Sequence, residues 1–444
     1  MLRQILTGKT GSAKTAFLSV VLVSNAFVWY YYVGDVLREI SKNGGFNYYA
    51  NFQVWAVHFI VLIISALAGA FLTGKLRSRD RFMSIWMLLG IASPFALFIV
   101  NTAVVSNATA IGLILGLSFG IGMPNCMGYF TSHNRIETRG RLGGMIMLLT
   151  GLSVIALEMT VSWGLIMQVV MLAIWRGFGL LFFVLLKPKG EKFMEEKTPS
   201  YRAILRERSF MLYFVPWVMF SLVNYFTTPV LDSVFEPKMI ETLLLIENGL
   251  VGVFAIVGGF LVDTIGRKRV AIAGFVMLGL GYAALGTYPE SLVVWYFHTA
   301  ADGIAWGMLL VIFVTTVWGD LSHDARSDKY YAAGVFPFFI SSFLPLVVAN
   351  QIITIVPVYA IFSFTAFFLF LAVLPLVYAP ETLPEKTLKD RELKKYIEKA
   401  QKEAAKAQDK EDGSAQRENE DDEVEFELNQ EDYEEALKEA EKYY

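Results

Sequence analysis

Apolar residues run through this chain in blocks of about twenty, each closed by a short polar stretch, and a block of that length is what a helix needs to cross a bilayer. Windows of this kind fall at 14–34, 52–73, 82–104, 108–131, 141–162, 165–187, 209–231, 241–262, 269–287, 291–319, 330–352 and 354–378. The pattern predicts an all-α membrane protein of twelve transmembrane helices. The fifth and sixth windows share an almost unbroken apolar stretch, 142–186, long enough for two helices and too long for one. We place its break at Thr160-Val-Ser-Trp163. Pro94, Pro124, Pro216, Pro337 and Pro345 lie inside expected spans, where neighbouring helices can satisfy the freed backbone groups.

The polar stretches set the orientation. With the N-terminus inside, 22 Lys and Arg fall on inside segments and only Arg38, Lys42 and Lys238 on outside loops. Basic residues stay on the cytoplasmic side, so both termini are expected there, in a multi-pass protein of the cell membrane. The basic N-terminus leads into the first window with no obvious small-residue cleavage site, so a retained span is expected rather than a removed signal peptide. Composition agrees: 55% of residues are hydrophobic and 18% charged, against about 25% charged in soluble chains. From Glu381 onward the net charge is −10, which leaves +7 on residues 1–380. The tail, 380–444, is expected to be soluble and cytoplasmic, helical over 386–411, with an acidic run at 418–427.

The longest basic segment divides the windows six and six, which suggests a first half, 1–187, a linker, 188–208, and a second half, 209–379. Related stretches recur about 190 to 200 residues apart. Gly69-Ala-Phe-Leu-Thr-Gly-Lys75 parallels Gly259-Phe-Leu-Val-Asp-Thr-Ile-Gly266, Asn25-Ala-Phe27 parallels Asn224-Tyr-Phe226, and Glu137–Gly144 has a looser counterpart in Asp320–Gly334. Two halves of like orientation form a parallel repeat. In the turn after the eighth window, Gly258 and Gly259 allow a close helix approach and Gly266 suits a positive φ. Arg267, Lys268 and Arg269 hold the turn inside. Asp263, at the membrane edge, needs a basic partner or the N-terminal end of another helix.

This turn, Gly259-Phe-Leu-Val-Asp-Thr-Ile-Gly-Arg-Lys-Arg-Val270, closely resembles the signature loop of the major facilitator superfamily, G-x-L-x-D-x-x-G-R-[RK]. The resemblance covers residues 14–380. It implies a transporter that rocks between inward- and outward-open states, with Gly259, Asp263, Gly266, Arg267 and Lys268 forming contacts between the halves that break and reform. The first-half copy departs from the pattern, with Thr73 where the family has Asp and its bases spread over Lys75, Arg77, Arg79 and Arg81. Pro380-Glu-Thr is similar to the P-E-T of sugar porters, but the matching signature after the sixth window is missing. A sugar-porter-like proton symporter is one subtype in play. A membrane receptor or assembly protein that kept the fold and lost transport is the rival class.

Ionisable side chains inside a span are costly, so each is a candidate for function. Asp302 lies about 11 residues into the tenth window, roughly 16 Å along a helix, with His298 one turn before it. The pair can load and release a coupling proton, or Asp302 can hydrogen-bond a neighbouring helix. Glu247 is a second proton or substrate site, or a rim residue reaching water. Arg176, mid-span in the sixth window, has Glu158 as its nearest charged candidate for an ion pair. Asn25 and Trp29 in the first window, with Asn224 and Tyr225 in the seventh, can line a polar-solute cavity or bond between helices. Cys126 reads as a buried structural thiol. Gly8-Lys-Thr10 lacks the first glycine of a phosphate loop, and four scattered histidines make no metal site. We expect no metal, cofactor, ATP, nucleic acid or enzyme activity. The expected partners are the bilayer, a small organic solute and, as candidate coupling ion, the proton.

Overall fold

The computed structural model describes residues 13–73, 78–187, 199–225, 227, 230–231, 235–323 and 325–384, with no strand among them. The chain divides into one compact unit, Met1–Leu388, and a second, Lys389–Tyr444. The expected tail helices lie outside the described residues. Ten helical segments among the described residues are long and apolar enough to cross a membrane. In the first half the helices are α1 (Ala13–Asn43), α2 (Tyr48–Thr73), α3 (Arg79–Ala92), α4 (Val105–Gly120), α5 (Met123–His133), α6 (Arg139–Glu158) and α7 (Leu165–Leu186). A short α8 (Tyr201–Arg206) leads into α9 (Arg208–Val223), α10 (Pro237–Ile265), α11 (Arg267–Thr287), α12 (Leu292–Leu310), α13 (Val317–Leu321), α14 (Asp328–Ile355) and α15 (Val358–Tyr378). The seventh window falls on α9, an apolar helix of only 16 residues, and the eleventh on α14, of 28.

The interruptions have local causes. The break in 142–186 falls where it was expected: α6 stops at Glu158, a 3-10 turn spans Val161–Trp163, and Gly164 takes φ 89°, a conformation that side chains disfavour. There the Thr160 hydroxyl donates to the Leu157 carbonyl at 2.7 Å, and the Gln168 amide to the Val161 carbonyl at 3.0 Å, so the turn's backbone is not left bare. Pro94 begins the 3-10 turn Ser93–Phe98 that prolongs α3, and Pro124 sits in the first turn of α5, where its missing N–H has no helical partner to lose. Between α12 and α13, Val311–Thr316 form π-helical turns buried on all sides. Two side chains take up carbonyls there: the Trp318 indole donates to Phe313 at 2.6 Å and the Tyr331 hydroxyl to Thr315 at 2.6 Å.

The two halves meet along two lines. α6 packs on α10, and the buried residues of α6 (Gly140, Leu142, Gly143, Gly144 and Ile146) lie toward its start, apart from Thr150. Those of α10 lie toward its end, from Ala255 to Asp263, apart from Leu243. Contact is therefore concentrated at the end carrying the Lys and Arg clusters. α2 packs on α14, with Phe343 against Phe52 and Phe59 at 5.4 and 5.9 Å between rings.

Candidate functional site

Helix α6 starts with backbone N–H groups that its own turn cannot satisfy, and no side chain of its own loop caps it. Asp263, at the end of α10, supplies the cap from the other half. The Gly140 N–H donates to Oδ1 at 2.8 Å, the Arg141 N–H to Oδ2 at 2.9 Å and Arg141 Nε to Oδ2 at 3.1 Å. The carboxylate thus finds both a helix N-terminus and basic side chains. Arg267 stands 3.5 Å from it, and donates through Nε to Asp320 Oδ2 at 2.8 Å and through Nη2 to the Ile136 carbonyl of the first half. Arg139 completes the square, Nη1 to Asp320 Oδ1 at 2.8 Å. Asp263, Arg267 and Asp320 are buried. Glycine makes the approach possible: a Cβ on Gly259 would stand 2.4 Å from the Gly140 carbonyl oxygen.

The remaining loop residues stay within the second half. Gly266 has φ 106°, and a Cβ there would also meet Glu381 Oε2 at 2.3 Å. Glu381 caps α11, accepting from the Arg267 N–H at 2.8 Å and the Lys268 N–H at 3.2 Å, while Lys268 Nζ donates to the Val377 carbonyl at 2.6 Å. The Pro380-Glu-Thr stretch is therefore a helix cap that also reaches the square, through the Thr382 hydroxyl on Asp320 Oδ2 at 3.2 Å.

The first-half copy is built with opposite polarity. Thr73 carries no charge, and its carbonyl accepts from Arg326 Nη1 at 2.8 Å. The acid stands on the partner helix instead: Asp328, at the start of α14, accepts both oxygens' worth of contact from Arg79 Nη2 at 3.0 and 2.9 Å and from Arg326 Nε at 3.2 Å. Arg79 also reaches Asn125 and Ser132, each at 3.0 Å. Beside this group, outside the spans, burial and the nearby Asp328 carboxylate push the Tyr201 hydroxyl's pKa up, and it donates to the Leu67 carbonyl at 2.7 Å. Asp320, Asp328, Arg139 and Glu381 were missed as site residues. The available signal was the loose parallel between 137–144 and 320–334, which holds Arg139, Arg141, Asp320, Arg326 and Asp328 of these two groups.

Inside the spans, the candidates separate. Asp302 on α12 and Glu247 on α10 come close where Gly303 lets the α10 backbone approach: a Cβ on Gly303 would stand 2.8 Å from the Glu247 carbonyl oxygen. Asp302 is buried with Oδ1 unpartnered. His298 turns from it, packing its ring 4.7 Å from Tyr282 and 6.1 Å from Trp295. The Tyr282 hydroxyl donates to the Asn224 carbonyl at 3.1 Å, Ser341 donates to Asn224 Oδ1 at 2.7 Å, and Asn224 Nδ2 is left without a partner. Tyr225 lies 6.3 Å from the Trp306 ring.

In the first half, Asn25 and Trp29 are tied into the helix packing. Asn25 donates to the Trp175 carbonyl at 2.6 Å and accepts from Arg176 Nη1 at 3.0 Å. Trp29 donates to the Gly90 carbonyl at 3.2 Å and stacks on Phe119. Arg176 does not pair with Glu158. Its guanidinium lies 3.9 Å over the Trp86 ring and on Asn25, while Glu158 sits near Asp35 and Arg38. Sequence proximity chose the wrong partner, because α7 turns Arg176 toward α1 and α3. Among the described residues no group of His, Cys, Asp and Glu could hold a metal.

No family sequence model matches the chain, and no curated protein sequence does. Solved structures do match. One is the proton:xylose symporter XylE bound to a bromodeoxyglucose, at 15% identity and TM-score 0.63, over 83% of this chain and 96% of that one. Another is the human organic anion transporter MFSD10, at 14% and 0.58, over 84% and 99%. A third is a bacterial homologue of the iron transporter ferroportin in an outward-facing state, at 12% and 0.62, over 82% and 97%. With the helical order, the loop and its partners in place, this chain has the fold of the major facilitator superfamily.

Proposed function

We propose that the chain is a secondary active transporter that moves a small organic solute across the cell membrane by alternating access. Two six-helix halves, 1–187 and 209–379, rock about a site between them, joined by 188–208, with both termini and the basic end facing the cytoplasm. The observation that carries this reading is the square of Asp263, Arg267, Asp320 and Arg139, drawn from both halves at one end, with Asp263, Arg267 and Asp320 buried. Buried ion pairs add little net stability, because desolvation offsets their attraction. That near-balance suits a contact that must open: once separated, the four groups regain water. The Arg79–Asp328 group supports the same role for the first half, with the acid moved to the facing helix. It also weighs against a receptor that kept the fold without motion, since both copies of the latch are complete. Asp302 and Glu247 are the coupling residues in this reading.

The test is uptake into proteoliposomes of sugars, organic cations, organic anions and amino acids, with and without a pH gradient. Saturable uptake of one class, lost in Asp263→Asn, is expected. Well-folded protein that moves none of them would leave the receptor reading in its place.

A further inference from the structure

We infer that the end of the linker, residues 199–207, is a strap that holds the α2–α14 seam shut, with Tyr201 as its peg and Lys329 as the clamp on that peg. The inference rests on the alternating-access reading above. The first three residues of α14 point about 100° apart around the helix, and each holds a different segment. Asp328 takes Arg79 of the first half, Lys329 Nζ donates to the Pro199 carbonyl at 2.9 Å, and the Tyr330 hydroxyl donates to Glu207 Oε2, just before α9, at 2.8 Å. Between those points α8 keeps the strap in shape: the Ser200 hydroxyl oxygen accepts the Ala203 N–H at 3.2 Å, and Ile204 is buried. From this platform the Tyr201 hydroxyl reaches the first half, donating to the Leu67 carbonyl of α2 at 2.7 Å. The strap runs directly into α9, so it belongs with the second half, and its hold on α2 is a contact between the halves.

Lys329 ties these contacts to the closed state. It is 7% exposed, and a lysine is seldom so buried unless its charge is met. What meets it comes from both sides of the seam. The ammonium stands 5.5 Å from the centre of the Phe71 ring, on α2, and 5.6 Å from that of Tyr201, on the strap, both within the range at which a ring attracts a cation. The Pro199 carbonyl is the third partner. When α2 parts from α14, Phe71 leaves with it, and Lys329 and Tyr201 both meet water. No group is stranded by the separation: the Leu67 carbonyl lies inside a helix and keeps its backbone bond, while the hydroxyl and the ammonium are hydrated. The strap is therefore made and broken at small cost. It differs from the ion groups beside it in holding α2 through a neutral hydrogen bond and ring contacts.

Tyr201→Phe removes only the hydroxyl of the peg, and Lys329→Met only the charge of the clamp. Each is made in full-length protein carrying Cys126→Ser and one reporter thiol. Thr73→Cys, at the end of α2, is the reporter, since Thr73 is buried and its carbonyl accepts from Arg326 of the other half. Val54→Cys, buried near the other end of α2, is the control. Labelling by an impermeant maleimide should rise about 3- to 10-fold at position 73 in Tyr201→Phe and about 10-fold or more in Lys329→Met. Position 54 and the thermal unfolding midpoint should change little. The two substitutions together should raise labelling by less than the product of their separate effects, because peg and clamp act as one. If Lys329→Met does not fold, Tyr201→Phe, which keeps the ring, carries the test. Unchanged labelling at position 73 in folded protein, an equal rise at position 54, or effects that simply multiply would overturn the inference. A second reporter, Val262→Cys beside the other latch, separates the strap from the reading beneath it. If positions 262 and 73 rise together, both stand; if 73 rises alone, the strap stands and the rocking of whole halves falls.

Discussion

Replacing Asp263 by Asn keeps the side chain's shape and removes its charge. The carboxylate now receives the Gly140 and Arg141 N–H groups at 2.8 and 2.9 Å. An amide offers one carbonyl oxygen to one of them and turns its own NH2 toward the other, donor against donor. The loss is one charge-assisted hydrogen bond, about 1.5–3 kcal/mol, and a negative charge at the start of α6, up to about 2 kcal/mol in a buried setting. Both terms act on the closed state alone, since an opened Asp263 is hydrated with or without its charge. A shift of about 2–5 kcal/mol changes the closed-to-open ratio roughly 30- to several-thousand-fold. The assay uses the fact that Cys126, the chain's one cysteine, is buried. In a Cys126→Ser background, Val262→Cys places a thiol at a fully buried position beside the latch, and Leu243→Cys a control near the far end of the same helix. Labelling by an impermeant maleimide applied to the basic end follows the open fraction. Asp263→Asn should raise the rate at position 262 by about 30-fold or more and leave position 243 unchanged. A change below about threefold at 262, in folded protein, would refute the reasoning.

Other substitutions probe the rest of the structure. Arg79→Asp strips Asp328 of the Nη2 that meets both its oxygens and should weaken closure by about 3–5 kcal/mol; adding Asp328→Arg should restore it, measured by the same labelling. Gly259→Val drives a side chain into the Gly140 carbonyl, and should hold the basic end open and stop uptake while the thermal unfolding midpoint changes little. Asn25→Ala and Arg176→Met should be coupled by about 1.5–3 kcal/mol in a double-mutant cycle of unfolding, whereas Glu158→Gln and Arg176→Met should simply add.

Much of the fold could be read from residue order because lipid imposes one rule, an apolar helix of fixed length, and the chain follows it. The break after Glu158 was legible since Gly164 and the hydroxyls before it leave no other place to turn. The early end of α9 at Val223 was not, because Asn224 stops there to bond Tyr282 and Ser341, contacts from distant helices. The need of Asp263 for a helix N-terminus or a base followed from its charge, and both are present. Which helix supplied them did not follow. Thr73 was visible as a missing acid, but its replacement sits 255 positions away, at Asp328. Spacing along one helix linked Asp302 to His298, whereas packing links Asp302 to Glu247. Polarity is conserved across a contact rather than along a strand of sequence, and only the folded chain displays it.

The π-helical turns of Val311–Thr316 set a phase between the two ends of one long segment. Asp302 and Asp320 stand 18 positions apart, and at about 100° per residue a regular helix would bring them back onto the same face. The wider turn takes out about one residue's worth of rotation, so Asp302 addresses α10 inside the membrane while Asp320 addresses Arg139 and Arg267 at its edge. Tightening those turns into α-helix would swing one carboxylate relative to the other by about 100°. The segment is thus a rotary coupling, in which the register of a single backbone turn decides whether the deep pair and the latch can both be in place at once.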